Sequence, residues 1–247
     1  MPRKARELSP TGIYHVMLRG INQQQIFEDD EDFNVFLDIL KYGKDMSGFK
    51  LYAYCLMGNH VHLLLEPCKE DLGQIFKRIG VKYAHWYNTK YKRSGHLFQD
   101  RYRSEVIKDE PHFLAALRYI HQNPVKAGMV SEPSGYKWSS YHEYIGKPCL
   151  VDTSCALDIM SMDEFVRFNN TDNNDQFIEN NVLPHRMSDA AVKTIMKNKY
   201  GCQTIEDITK LSAEMRNECV KSLKAEGASI RQISRLTGIS KGVVERV

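Results

Sequence analysis

Leu51-Tyr52-Ala53-Tyr54-Cys55-Leu56-Met57-Gly58-Asn59-His60-Val61-His62-Leu63-Leu64-Leu65 decides how the chain folds. Two apolar runs flank Gly58-Asn59, a pair suited to a tight turn, so the stretch reads as an antiparallel hairpin of Leu51–Met57 and His60–Leu65. Side chains alternate between the faces of a strand. His60 and His62 therefore share one face, while Val61 and Leu63 enter the core on the other. Two imidazoles held this way make half of a metal site.

Working outward, Ile13–Leu18 reads as a first strand ended by Arg19-Gly20. Glu31–Met46 is a helix with Phe33, Phe36, Leu37 and Leu40 at helical spacing. Leu72 to about Asn88 is a second helix, and Leu97–Lys108 a fourth strand. Asp109 caps a third helix with Pro111 in its first turn, an inner face of Phe113, Leu117 and Ile120, and Pro124 as its stop. Tyr119 and Asn123 are four residues apart on that helix and share a face. The order strand-helix-strand-strand-helix-strand is the split βαβ, ferredoxin-like pattern. The expectation is an α+β fold with one antiparallel sheet and helices on one side.

Beyond residue 147 the rhythm breaks. Pro148–Pro184 holds seven acids against Arg167 alone, and it is Asn-rich, so it reads as an acidic linker with one or two short helices. Residues 185–247 are helical in pattern throughout. Their end, Gly227 to Val244, looks like a helix-turn-helix: Ile230, Ile233 and Leu236 form an inner face, Gly238 permits the turn, Ser240 caps the second helix, and Val243 and Val244 pack back. The expected domains are residues 1–147, a linker at 148–184, and a small all-α DNA-binding domain at 185–247.

The 247 residues are 42% hydrophobic and 26% charged, the profile of an ordinary globular protein. No run of about 18 apolar residues suggests a membrane span, and the basic N-terminus lacks the apolar stretch of a signal peptide. Six cysteines without Cys-x-x-Cys spacing give no sign of a zinc site or a disulfide framework. A reduced, cytoplasmic setting is expected. The net charge of +3 hides segregation: Gln74 to Arg103 carries eight Lys/Arg against Asp100 alone. Tyr83, Trp86, Tyr87, Tyr91, Phe98 and Tyr102 interleave with them. Cations for phosphates and aromatics for bases suit single-stranded nucleic acid; a solvated basic face over a buried aromatic stripe is the plainer reading.

Four segments occur together and in order: Tyr14-His15-Val16-Met17-Leu18-Arg19-Gly20, Asn59-His60-Val61-His62-Leu63-Leu64, Gly95-His96-Leu97-Phe98-Gln99-Asp100-Arg101-Tyr102, and Tyr119-Ile120-His121-Gln122-Asn123-Pro124-Val125-Lys126-Ala127-Gly128. Over roughly residues 10 to 146 the chain resembles the single-tyrosine HUH transposases, particularly the branch associated with repetitive extragenic palindromes (REP). Gly58 stands where that family often has proline, a change confined to a turn. The resemblance implies His60 and His62 as metal ligands, Asn123 as third ligand, Tyr119 as nucleophile, and Mg²⁺ or Mn²⁺ as the ion. It implies cleavage and rejoining of single-stranded hairpin DNA through a 5′-phosphotyrosine. Imidazole and amide ligands with open positions agree with that. His112 and His121 are candidates to accept the tyrosine proton.

Arg19, Arg101 and Arg103 are expected phosphate contacts, Lys77, Arg78 and Lys82 general backbone contacts, and Ser240 and Lys241 contacts of the helix-turn-helix. Two other readings compete. One is a decayed transposase acting as a DNA-binding regulator, which the intact histidine pair and Tyr119 disfavour. The other is a barrel-type metal hydrolase, which needs more than the roughly 140 residues of the first region. Target sequence and the choice between monomer and homodimer are left open.

Overall fold

In the computed structural model, which describes residues 7–173, 175, 177, 178, 189–202, 204–228 and 230–247, the chain divides into two compact units, Met1–Asn181 and Val182–Val247. The expected boundary at residues 184 and 185 lies outside the described residues.

The first unit runs β1 (Tyr14–Arg19), α1 (Asp30–Ser47), β2 (Lys50–Met57), β3 (His60–Glu66), α2 (Leu72–Lys90), β4 (Arg103–Val106) and α3 (Glu110–Lys126). The four strands form one sheet in the order β2-β3-β1-β4, antiparallel at each pairing. This is the ferredoxin-like α+β arrangement. Asp29 opens α1 with a reciprocal capping box to Asp32, and Gly48, at φ 66°, closes it in the left-handed region. Asp109 caps α3 by accepting from the His112 backbone N–H.

Register decides what each face carries. Met17 pairs with His62, which in turn pairs with Cys55, and His15 pairs with Leu64. His15, Met17, His60 and His62 therefore share a face. α3 lies over it, with the Tyr119 ring centroid 5.8 Å from those of His15 and His62. The other face, bearing Val16, Leu18, Val61 and Leu63, is buried in one core with Phe36, Leu40, Ile75, Ile79 and Tyr83 of α1 and α2. Helices thus cover both faces rather than one. The basic-aromatic segment follows the plainer reading: Tyr83, Tyr87 and Tyr102 are buried, and Trp86, Tyr91 and Phe98 pack against the core.

Three further expectations need correction. The fourth strand is short, because Leu97–Gln99 only bridges past the end of β1, through Ile21 N–H to Leu97 O and Gln99 N–H to Arg19 O, both 2.9 Å. Gly20 turns the chain there, and a Cβ on it would collide with the Gln24 carbonyl. Helix α3 does not stop at Pro124 but runs through it to Lys126. Proline forfeits one intrahelical donor, a loss tolerable this close to the helix end. Residues 148–173, with 175, 177 and 178, are no free linker. α4 (Tyr141–Ile145), α5 (Ser154–Leu157) and α6 (Met162–Asn170) follow α3, and Leu150, Val151, Ala156, Phe165 and Phe177 join the core of the first unit. The Glu143 carboxylate accepts the Cys149, Leu150 and Val151 backbone N–H groups at 2.6, 2.6 and 3.0 Å. The acids Asp158, Asp163 and Glu164 face solvent, so acidic composition coexists with an apolar inner face.

The second unit comprises α7 (Asp189–Tyr200), α8 (Ile205–Lys210), α9 (Ala213–Ala225), α10 (Ile230–Thr237) and α11 (Lys241–Arg246) around a small core that includes Val192, Ile208, Val220, Leu223, Ile233 and Val244. Gly238, at φ 74°, turns α10 into α11. Ile230 and Leu236 pack beside Ile233 as expected. Val243 is 37% exposed, so only Val244 packs back. Ser240 occupies the cap position of α11 without a side-chain capping bond. Ser229 of this stretch lies outside the described residues. Among the described residues no helix is long and apolar enough to cross a membrane.

Candidate active site

The hairpin and α3 bring His60, His62, Tyr119 and Asn123 together. The His60 and His62 ring centroids are 4.9 Å apart. Asn123, one turn beyond Tyr119, places its amide Nδ2 3.2 Å from His62 Nε2. The hydrogen bonds assign both tautomers. Asn59 gives an N–H to the Gln23 carbonyl at 3.3 Å, which turns its Oδ1 toward His60 Nδ1 at 2.6 Å. His60 therefore carries its proton on Nδ1. An amide N–H can only donate, so His62 Nε2 accepts from Asn123 and the His62 proton also sits on Nδ1. Both imidazoles thus present an Nε2 lone pair, the form that binds a metal.

Among the described residues no group of three His, Cys, Asp or Glu side chains is placed to hold a metal. A site here would rest on two imidazoles and the Asn123 amide, a set with open positions that fits a hard divalent ion with water completing the shell.

Tyr119 is only 3% exposed, although the sequence sets it apart from the apolar face of its helix. Phe177 covers it, with ring centroids 4.9 Å apart, and also touches His15 at 5.5 Å and His112 at 5.4 Å. Asp175, paired with Arg118 at 2.7 Å, and the Ile178 N–H, bonded to Glu105 at 3.1 Å, hold this segment down. Phe177 thus helps to shield Tyr119 from solvent. An aromatic pair contributes about 0.5–1.5 kcal/mol, so Phe177→Ala should raise the rate of a reaction at the Tyr119 hydroxyl about 2- to 10-fold. Single-turnover time courses of the two proteins check this; equal rates would mean the ring does not limit access.

His121 is not available to take the tyrosine proton. It is fully buried between Asn169, at 3.2 Å, and Ser140, at 2.9 Å, and burial pulls its pKa down to about 3. Folded His121 stays neutral where the unfolded chain, near its usual 6.5, takes up a proton. Its contribution to stability is full above pH 6.5 and is lost as pH falls toward about 3. Wild type should therefore lose up to about 1.4 kcal/mol per pH unit more than His121→Gln in that window. Denaturant titrations of both proteins across it give the comparison. His112 accepts the Lys108 N–H at 3.3 Å and stacks on Phe177. Lys126, which sequence reasoning passed over, sets its ammonium 4.9 Å from the Tyr119 ring centroid.

Comparison with known proteins places this geometry. The family model described as "Transposase IS200 like" matches residues 10–123, from just before β1 to Asn123. Over residues 10–123 the chain is thus similar to the IS200-like transposases. A candidate REP-associated tyrosine transposase of Haemophilus influenzae is 27% identical over 58% of this chain and 86% of its own length. The REP-associated tyrosine transposase of Escherichia coli is 23% identical over 44% of this chain and 64% of its own. A solved structure of a REP-associated tyrosine transposase bound to a REP hairpin superposes with a TM-score of 0.52 at 17% identity, covering 62% of this chain and 90% of that one. That likeness is one of fold.

The DNA contacts expected in the first unit separate into two groups. Arg19 pairs with His60, and Arg103 pairs with Met17, so both lie on the histidine face. Arg101 is exposed on the preceding loop. Lys77, Arg78 and Lys82 belong to α2. Arg78 is committed to Glu70 at 2.6 Å, which lowers the Glu70 pKa to about 2, and to Ser47. Lys82 lies 3.8 Å from the centroid of the Tyr42 ring on α1. Only Lys77 of the three extends freely into solvent. Ser240 and Lys241 are exposed in the second unit.

Proposed function

We propose that the transposase domain cleaves and rejoins single-stranded DNA at hairpin ends in a metal-dependent reaction, with Tyr119 as nucleophile. The observation that carries this reading is the placement of Tyr119 and Asn123, one turn apart on α3, against the presented face of His60 and His62. The relatives' association with REP, and the hairpin bound by the structural neighbour, support hairpin DNA as the substrate class.

His60, His62 and Asn123 would hold Mg²⁺ or Mn²⁺. Such an ion would supply positive charge to offset that of the phosphodiester. Arg19 and Arg103 on the same face hold flanking phosphates. The Tyr119 hydroxyl, giving up its proton, forms a bond to phosphorus. The bond from phosphorus to the 3′-oxygen breaks, and that oxygen leaves as a 3′-hydroxyl after taking a proton. The 5′-phosphotyrosine retains the energy of the broken ester, so the 3′-hydroxyl of another strand can reverse the step and join new ends.

The test is a denaturing gel of protein with labelled single-stranded hairpin DNA, with Mn²⁺ or with EDTA. A metal-dependent protein–DNA adduct is expected. Binding without an adduct across a varied hairpin pool would shift the function to DNA-binding regulation. The second unit is proposed as a helix-turn-helix module whose Ser240 and Lys241 meet DNA. Deleting Val182–Val247 should weaken DNA affinity or site choice while sparing adduct chemistry, as read by gel shift beside the adduct gel. Unchanged binding would reject that role.

A further inference from the structure

Beyond the histidine pair lies a third imidazole that the proposed chemistry does not use. His15 is fully buried on β1, diagonal to His62 across the sheet, with its Nε2 2.9 Å from His62 Nδ1. On its other side, Glu105 of β4 is its direct cross-strand partner, with an oxygen 3.9 Å from His15 Nδ1. We infer that His15 is a positioning residue that fixes the tautomer and ring orientation of His62, so that His62 Nε2 is always presented as a lone pair to a divalent cation.

The argument follows protons. His62 Nε2 accepts from the Asn123 amide, so its proton is on Nδ1, the atom facing His15. His15 Nε2 must then be the acceptor, which places the His15 proton on Nδ1, toward Glu105. At 3.9 Å the carboxylate is beyond hydrogen-bond length, and it favours this tautomer through its field rather than by a direct bond. Three neighbouring strands, β4, β1 and β3, thus contribute one group each to a line ending at the cation face. Metal-binding histidines commonly give their second N–H to such a partner, and losing the partner typically costs about 10- to 100-fold in metal affinity. His60 has its own anchor in Asn59, so His15 governs one ligand of the pair. The packing of Tyr119 and Phe177 against His15 fixes the plane of its ring.

The inference rests on His60 and His62 as cation ligands, but its first test does not. In the metal-free full-length protein labelled with ¹⁵N-histidine, His62 should appear as the Nδ1–H tautomer with a through-bond ¹⁵N–¹⁵N coupling to His15 Nε2. An Nε2–H form of His62, or no such coupling, would overturn it. The second test is Mn²⁺ binding by calorimetry. His15→Phe keeps an aromatic ring and removes the acceptor, and Mn²⁺ affinity should fall about 10- to 100-fold. His15→Gln restores an acceptor oxygen and should recover most of that loss. A His15→Phe protein that folds and binds Mn²⁺ as wild type does would overturn the proposal. If His15→Phe does not fold, the wild-type coupling and the His15→Gln affinity decide. If wild type binds Mn²⁺ no better than His60→Ala, the ligand reading itself fails, a result separable from the tautomer spectra.

Discussion

With Tyr119 as the proposed nucleophile, Tyr119→Phe is expected to abolish the covalent protein–DNA adduct while leaving hairpin binding close to wild type. The exchange removes one oxygen and nothing else. The Tyr119 ring packs against His15, His62 and Phe177, and phenylalanine keeps those contacts. Loss of stability is therefore expected to stay within about 1 kcal/mol. The proposed reaction would lose the atom that forms the new bond to phosphorus, so the expected loss is on the order of 10⁴-fold or more, as for other nucleophile removals. The measurement is the denaturing gel in Mn²⁺ beside a gel shift on the same hairpin. An adduct formed by the Phe variant would assign the bond to another side chain. Loss of adduct together with loss of binding would mean the exchange disturbed the DNA surface.

How far the sequence discloses this depends on the range of the interaction involved. The hairpin was legible because it is local: alternation on either side of Gly58-Asn59 sets both strands and puts His60 and His62 on one face. The caps at Asp29 and Asp109 and the i, i+4 relation of Tyr119 and Asn123 are equally local. What escaped is what only strand pairing creates. His15 sits within a quoted motif, but nothing in its neighbours says that it meets His62, forty-seven residues away. The same holds for the Glu105–His15 pairing, for Phe177 over Tyr119, and for the coverage of both sheet faces. Charge patterning fell short in two places. Basic residues on α2 left open both a nucleic-acid groove and a solvated face over buried aromatics; the aromatics face inward and Arg78 is paired with Glu70. Acidic residues after Pro148 suggested a tether, because composition averages over a segment in which a few buried side chains, Leu150, Val151, Ala156 and Phe165 among them, do the packing.

The second of these carries the other large effect. Phe165 of α6 is fully buried, stacked on Tyr144 at 4.6 Å and on Tyr141 at 5.6 Å, and edge-on to His121 at 5.8 Å. Phe165→Ala would leave a cavity among these three rings. The expected loss is about 3–5 kcal/mol, a large part of the roughly 5–15 kcal/mol that holds an ordinary domain folded. If residues 148–173 were a tether, the same exchange would cost less than about 0.5 kcal/mol. Urea titration of the two proteins separates these outcomes by far more than its error. Truncation sharpens the point: a chain ending at residue 147 loses Val151, Ala156 and Phe165 from the core, whereas one ending at Asn181 keeps the whole first unit. The shorter fragment should be unstable and the longer one folded. Tyr119 lies two residues before His121 on α3, and His121 is clamped between Ser140 and Asn169. The supposed linker therefore braces the helix that carries the proposed nucleophile, and weakening it should lower adduct yield even at temperatures where the sheet remains intact.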